Sequence, residues 1–223
     1  MKKKILVLIP CLNEEATLGN VIKNVKKYLP ESSIVVYDND STDKTTDVAK
    51  KYKVKVRKVH ERGKGNVVRK MFSDNYEYDY YVMVDGDNTY DLSNVNKMLH
   101  YVQNENFDMV IGKRVHKSSK AYRRGHLLGN KIFTSFVTLF FGKHVTDIFS
   151  GFRVFSKRFV KTFPVYSNEF EIEAELTIHA LEQKHSIKEV NCIYNSRPKG
   201  SFSKLSTYSD GIKILRLILM LIK

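Results

Sequence analysis

The sequence predicts an α/β fold, a mostly parallel sheet flanked by helices. Three observations predict it. Short apolar runs of strand length recur along the chain, and stretches with apolar residues at helical spacing separate them. Polar and acidic motifs follow directly after the apolar runs, where parallel sheets bind ligands. At 223 residues the chain has the length of one large domain. It carries no internal repeat or low-complexity tract.

The elements follow in order. Lys4–Ile9 reads as a short buried strand. Glu14–Tyr28 is a helix, with Leu18, Val21, Ile22 and Val25 at helical spacing. Ser33–Tyr37 is the second strand, and Asp43–Tyr52 a helix with Ser41 or Thr42 as its N-cap. Val54–Val59 is a strand, Lys64–Tyr76 a helix, Asp79–Val84 a strand, Leu92–Val102 a helix and Phe107–Ile111 a strand. A soft boundary falls near residue 115. Beyond it come a long apolar helix over Leu127–Phe141, a turn and strand over Thr146–Phe155, and an amphipathic helix over Phe170–Gln183. The strand Ile187–Tyr194 and the basic loop Ser196–Ser203 follow. Ile212–Ile222 is strongly apolar and reads as a surface-lying helix or the start of a longer anchor. No apolar run reaches the roughly 20 residues of a membrane span. The short apolar stretch Ile5–Ile9 runs into Pro10, which is not the pattern of a signal peptide.

The formal charge is +14, spread in short clusters such as Lys2–Lys4, Lys113–Arg114 and Arg123–Arg124. Such a charge suits nucleic acid, anionic lipid or phosphorylated small molecules. A nucleic-acid role is disfavoured, because acidic motifs lie where a polyanion would pass and no binding motif is present. Cys11 and Cys192 are far apart and lack zinc or redox spacing, and Cys11, which follows a buried strand, is expected to be an inert buried thiol. The GxxxxGK[ST], GxGxxG and GxSxG patterns are absent, as is HExxH, which argues against P-loop ATPases, dinucleotide dehydrogenases, serine hydrolases and zincins.

The strongest chemical signal is Val82-Met83-Val84-Asp85-Gly86-Asp87. An apolar strand ends in two carboxylates at i and i+2, which point to one side at strand spacing. Paired carboxylates make a hard-oxygen site for Mg²⁺ or Mn²⁺, which takes its other ligands from water and phosphate. Asp38 follows the second strand, where a carboxylate can accept from a base or ribose hydroxyl. Its neighbour Asp43 is better read as a helix cap. Glu14 follows the first strand and is either a nucleoside contact or a helix N-terminal charge. Gly63-Lys64-Gly65-Asn66 opens a helix in a way that suits a phosphate.

Six segments in order resemble the family-2 glycosyltransferases, most closely the branch of dolichol- and polyprenyl-phosphate sugar synthases. They are Pro10-Cys11-Leu12-Asn13-Glu14-Glu15, Asp38-Asn39-Asp40-Ser41-Thr42-Asp43, Gly63-Lys64-Gly65-Asn66, Asp85-Gly86-Asp87-Asn88-Thr89-Tyr90-Asp91, Asp147 with Ser150-Gly151-Phe152-Arg153, and Gly200-Ser201-Phe202-Ser203-Lys204-Leu205. The resemblance covers residues 5 to about 210 and implies a single GT-A domain over 1–223. Residues 1–115 would be its nucleotide-sugar-binding half and 116–223 its acceptor half. Leu12 stands where the family often has an aromatic residue.

The resemblance also implies roles. Pro10, Asn13, Glu14, Asp38 and Asp40 would hold the nucleoside, with Lys64 near it or near the diphosphate. Asp85 and Asp87 would bind the metal, Asp87 more directly. Arg114, Arg123, Arg124 and Arg153 would meet the acceptor phosphate, with Asp147, Ser201 and Lys204 on the same side. Asp85, Asp87 and Arg153 would form the catalytic set. The implied reaction is inverting transfer of a sugar from a UDP- or GDP-sugar to a polyprenyl or dolichyl phosphate at the cytoplasmic face of a membrane. A glycan or lipopolysaccharide hydroxyl is the alternative acceptor. A phosphate monoester, with a second pKa of about 6, needs cations rather than a base. A hydroxyl needs a general base, for which Asp147, Glu171 and Glu173 are candidates. The apolar stretches 127–141 and 212–222, flanked by Lys and Arg, fit helices in a lipid interface. Core packing and a homodimer contact are the other uses of such faces.

Overall fold

The computed structural model describes residues 3–74, 77–116, 124–142, 145–198, 200 and 207–221, apart from the side chains of 116, 124–132 and 207–210. The elements are β1 (Ile5–Cys11), α1 (Leu18–Tyr28), β2 (Ser33–Asp38), α2 (Thr45–Lys51), β3 (Lys55–Lys58), α3 (Lys64–Ser73) and β4 (Tyr80–Met83). A single 3₁₀ turn, Leu92–Asn94, leads into α4 (Val95–Asn104). Then come β5 (Met109–His116), α5 (Arg124–Phe141), β6 (Arg153–Ser156), α6 (Lys157–Thr162), α7 (Ile172–Glu182), β7 (Ile187–Tyr194) and α8 (Thr207–Leu221).

Among the described residues, seven strands form one sheet in the order β3-β2-β1-β4-β6-β5-β7. Every neighbouring pair is parallel except those made by β6, which runs antiparallel to β4 and β5. The period-2 alternation of the strands divides the core in two. Leu6, Leu8, Val35, Tyr37, Tyr81, Met83, Met109 and Ile111 face α3, α6, α7 and α8. Val7, Ile9, Val36, Val82, Val84, Val110 and Val154 face α1, α2 and α4. A strand apolar at every position, such as the core of β1, is the signature of a sheet covered on both faces.

Two local expectations are corrected. Helix α2 begins at Thr45 and is not capped by Ser41 or Thr42; Asp43 instead accepts from the Thr45 amide at 2.9 Å. Ser41 Oγ accepts from the Asn13 amide at 2.9 Å, so it is spent on joining two loops. Helix α7 is not amphipathic: Ile172 to Leu181 are all buried, including Glu173, Glu175, Thr177 and His179. It packs against α3, α5 and α8, which cover the faces that would otherwise meet water.

The strand order places the site. From β1 the chain moves outward to β2 and β3, then returns to the other side of β1 as β4. Such a reversal opens a crevice at the carboxyl ends of the two strands. Pairing of β1 with β4 stops at Leu8 and Met83, with a last bond from the Val84 amide to the Leu8 carbonyl at 3.2 Å. Pro10 lies just beyond, where β1 pairs only with β2, so its missing N–H leaves no ladder bond unmade.

Candidate active site

Asp85, Gly86 and Asp87 leave the end of β4 and enter this crevice. Gly86 lies against the end of β1: a Cβ on it would come within 2.7 Å of Cys11 Sγ. Thr17 Oγ1 donates to the Gly86 carbonyl at 2.8 Å and to Glu14 Oε2 at 3.0 Å, fixing the turn to the start of α1. Asp87 is 3% exposed, and its Oδ1 accepts from the amide of Thr89 at 3.0 Å and from Thr89 Oγ1 at 2.6 Å. Its Oδ2 pairs with the Arg197 guanidinium at 2.6 Å, and the same arginine reaches Glu14 Oε1 at 3.9 Å. Burial, reinforced by the charge of Asp85, raises the Asp87 pKa against the opposing pull of Arg197 and Thr89.

Asp85 pairs with Lys64 Nζ at 2.6 Å, and Lys64 also holds Glu173 Oε1 at 2.6 Å. Burial works against the Lys64 charge, but attraction by Asp85 and then Glu173 outweighs it, so its pKa is raised. Asp85 also rests against the backbone of Gly151, where a Cβ would lie 2.1 Å from Asp85 Oδ2. The glycines of the Lys64 loop serve a different purpose from the expected phosphate cradle. A Cβ on Gly63 would come within 2.2 Å of the Asn168 carbonyl, and one on Gly65 within 2.2 Å of the Ser167 carbonyl. The Asn66 amide donates to the Asn168 carbonyl at 3.2 Å. The start of α3 is thus covered by the segment before α7, and the glycines let the two backbones meet.

Asp38, at the end of β2, is fully buried. Its Oδ2 lies 3.4 Å from the Ser41 amide, and its buried Oδ1 has no hydrogen-bond partner. Buried acceptors are ordinarily paired, so this open oxygen is an exception. Asn13 and Asp40 are drawn into loop structure: Asn13 Oδ1 accepts from the Thr42 amide at 2.8 Å, and Asp40 pairs with His60 at 3.0 Å. Asn39, which carried no expectation of its own, donates to the carbonyls of Val59 and Glu61, both at 2.8 Å, and accepts from the Gly63 amide at 2.9 Å. It ties the end of β2 to the Lys64 loop.

Arg114 and Asp147, both expected on the acceptor side, meet each other. Asp147 accepts from Arg114 Nε at 2.8 Å, from its Nη2 at 2.6 Å and from its backbone amide at 3.0 Å. Burial alone would raise the Asp147 carboxyl, but the guanidinium holds it below the usual carboxylate range. The guanidinium also lies 5.6 Å from the centre of the Tyr194 ring.

Arg153 is placed elsewhere than expected. It is 0% exposed and donates to the carbonyls of Ser150, Ile148 and Glu173, each at 2.8 Å, and to Thr177 Oγ1 at 2.9 Å. Burial lowers its pKa to about 10, with Glu173 and Asp147 opposing the shift. Its donors are used inside the chain, so it buttresses the Gly151 turn beneath Asp85 and does not face an acceptor. Arg123, Ser201 and Lys204 lie outside the described residues, and Arg124 is described only as the first residue of α5.

Arg197 had drawn no expectation. It sits three residues past β7, whose carboxyl end lies on the same edge as those of β1 and β4 because β7 is parallel to β5. The bond from the Asn195 amide to the Thr89 carbonyl at 2.8 Å brings this segment against the Asp87 turn. An arginine just after a strand's carboxyl end was the only signal in the sequence.

Residues 6–163 match the family described as glycosyl transferase family 2. The chain belongs to that family. It is 31% identical over 210 residues to the glycosyltransferase AglJ of Haloferax volcanii, covering 93% of this chain and 68% of that protein. It is 27% identical over 247 residues to the UDP-N-acetylglucosamine–dolichyl-phosphate N-acetylglucosaminyltransferase of Methanococcus voltae, covering 98% and 96% of the two chains. Among solved structures, glucosyl-3-phosphoglycerate synthase of Mycobacterium tuberculosis, in complex with Mn²⁺ and UDP-glucose, superposes with a TM-score of 0.79 at 20% identity, over 99% of this chain and 79% of that one. This likeness confirms the GT-A fold. As a family-2 glycosyltransferase the protein has dolichyl-phosphate sugar transferases among its relatives.

Proposed function

We propose that this glycosyltransferase moves a sugar, with inversion, from a UDP- or GDP-sugar to a polyprenyl or dolichyl phosphate at a membrane surface, with Mg²⁺ or Mn²⁺ as cofactor. The observation that carries the reading is the pair Asp85 and Asp87 at the strand crevice, each carboxylate already neutralised by a cationic side chain. The described residues contain no group of three or more His, Cys, Asp and Glu placed to hold a metal. A two-carboxylate, all-oxygen donor set fits a hard cation that takes its remaining ligands from a diphosphate and water. When bound, such a cation neutralises charge that develops on the leaving diphosphate.

The protein's own groups divide the remaining work. Asp38 Oδ1, buried and open, is suited to accept from the nucleoside. Pro10 and Glu14 line the same edge, with Asn13 and Asp40 holding its loops in place. Lys64 and Arg197 are the cations at hand for the diphosphate. On this reading Arg114 and Asp147 would lie on the acceptor side, where a cation would dock a phosphate.

Two further observations favour a lipid-borne phosphate over a sugar hydroxyl. Two of the three candidate bases are engaged, Asp147 by Arg114 and Glu173 by Lys64. The helices α5 and α8 pack together and leave Phe136, Leu139, Phe140, Ile212, Leu215, Leu219 and Met220 exposed. No described helix is long and apolar enough to cross a membrane. A shelf of this kind, with Arg216 exposed among the apolar residues, suits the lipid interface. The hydroxyl reading rests on Glu171, whose buried Oε2 has no partner.

The test is a transfer assay with UDP- and GDP-sugars, Mg²⁺ or Mn²⁺ and a short polyprenyl phosphate. Sugar on the lipid phosphate, retained in Glu171→Gln, is the expected result. Transfer to a glycan hydroxyl that is lost in Glu171→Gln would replace the lipid reading.

A further inference from the structure

Each carboxylate of the Asp85/Asp87 pair sits in the same arrangement. Asp85 shares Lys64 with Glu173, at 2.6 Å on both sides. Asp87 shares Arg197 with Glu14, at 2.6 and 3.9 Å. In both cases a cation lies between the carboxylate and a second, buried acid. The Lys64 side chain is 10% exposed and Glu173 is 9% exposed, so neither is a casual surface pair.

A buried ammonium that loses its only partner pays heavily in desolvation. Lys64 has a second partner, and that partner is firmly mounted. Glu173 belongs to the buried run Ile172–Leu181 of α7. Two residues along, Glu175 accepts from the amides of Tyr166 and Ser167, both at 2.7 Å. Ser167 is the backbone against which Gly65 packs. The backbone of Lys64 and the carboxylate of Glu173 are therefore registered to the same helix, and the Lys64–Glu173 contact does not depend on Asp85.

We propose that Lys64 is a placeholder cation for Asp85, and that Glu173 is the positioning residue that keeps it in place when Asp85 is released to a divalent cation. The inference rests on the reading of Asp85 and Asp87 as the metal-binding pair. It has two consequences of opposite sign. Lys64 competes with a divalent cation for Asp85, so it weakens binding of the bare ion. Glu173 gives the displaced ammonium somewhere to stay, so it strengthens that binding. A diphosphate arriving with the ion offers Lys64 and Arg197 a new anionic partner, so ion and nucleotide bind as a unit.

The experiment is titration of the purified protein with Mn²⁺, followed by the paramagnetic signal of the free ion, with and without UDP or GDP. Melting midpoints are recorded alongside. In Lys64→Met, affinity for Mn²⁺ alone is expected to rise about tenfold, while the gain on adding nucleotide shrinks. In Glu173→Gln, affinity for Mn²⁺ alone is expected to fall several-fold. Structural damage would move both variants in the same direction. Lys64→Gln repeats the first arm if Lys64→Met melts early. An unchanged or lower Mn²⁺ affinity in both Lys64 variants, or an unchanged or higher one in Glu173→Gln, overturns the placeholder while nucleotide-dependent Mn²⁺ binding by the wild type keeps the metal-site reading. Absence of Mn²⁺ binding by the wild type, with either nucleotide, overturns both.

Discussion

At the crevice between β1 and β4 the chain buries charge and partners it: Asp85 with Lys64, Asp87 with Arg197. Along the outer side of α5 and α8 it does the reverse, leaving Leu139 at 75% and Ile212 at 70% exposure. Both regions are out of balance by ordinary rules. Buried ions are costly to desolvate, and exposed apolar surface is costly to hydrate. The difference shows two kinds of incompleteness. The crevice is closed by internal ion pairs, which on the proposed reading a charged ligand replaces. Among the described residues the shelf has no such internal substitute. Helix α8 makes the point within one element: Ile214, Leu217 and Ile218 enter the core, while Leu215, Leu219 and Met220 on other faces remain outside.

That contrast can be broken at four places. The largest effect is expected from Asp87→Asn, which keeps the shape and removes the charge. Transfer should fall by about a thousand-fold or more, with a melting midpoint near that of the wild type. Full activity would remove Asp87 from the metal site. Arg153→Ala should do the opposite, lowering stability by about 3–5 kcal/mol in denaturant unfolding. It strands the carbonyls of Ser150, Ile148 and Glu173 in the core. A stable but inactive Arg153→Ala would return that residue to the catalytic set.

On the shelf, the double variant Leu139→Asp, Leu219→Asp should weaken binding to anionic vesicles about tenfold or more and leave nucleotide binding intact. Unchanged vesicle binding combined with a shift from dimer to monomer would identify the shelf as a contact between copies. The smallest effect concerns pH. Burial, with help from the neighbouring His185, lowers the His179 pKa to about 4 from an ordinary 6.5. The unfolded chain therefore takes up this proton first, and stability falls as pH drops from 6.5 toward 4. His179→Leu should flatten that part of the stability–pH curve; an equally steep curve would assign the acid sensitivity to other groups.

Some of the site was legible because its chemistry is local. An apolar strand followed at once by Asp85 and Asp87 needs only the pleat and the carboxyl edge to become a candidate metal site. Asp38 was legible for the same reason. Other assignments depended on neighbours distant in sequence. Arg153 was expected to meet an acceptor phosphate, yet the carbonyls that absorb its donors come from residues 148 to 173. Phe170–Gln183 carries enough acids to read as amphipathic, yet α3, α5 and α8 enclose it. The glycines around Lys64 suggest a phosphate, but the backbone of Ser167 and Asn168 occupies that approach. Arg197 had no motif around it, and only the parallel placement of β7 carries it to Asp87.

The sequence by itself determined the alternation of strands and helices, the two-sided burial of the sheet and the carboxylates at its edge. These follow from periodicity and from chemistry within a few residues. Only the tertiary structure decided which cation meets which acid, which arginine is structural, and which helix is enclosed. Ion pairing and burial depend on distances between segments remote in the chain, and a side chain's type does not specify them.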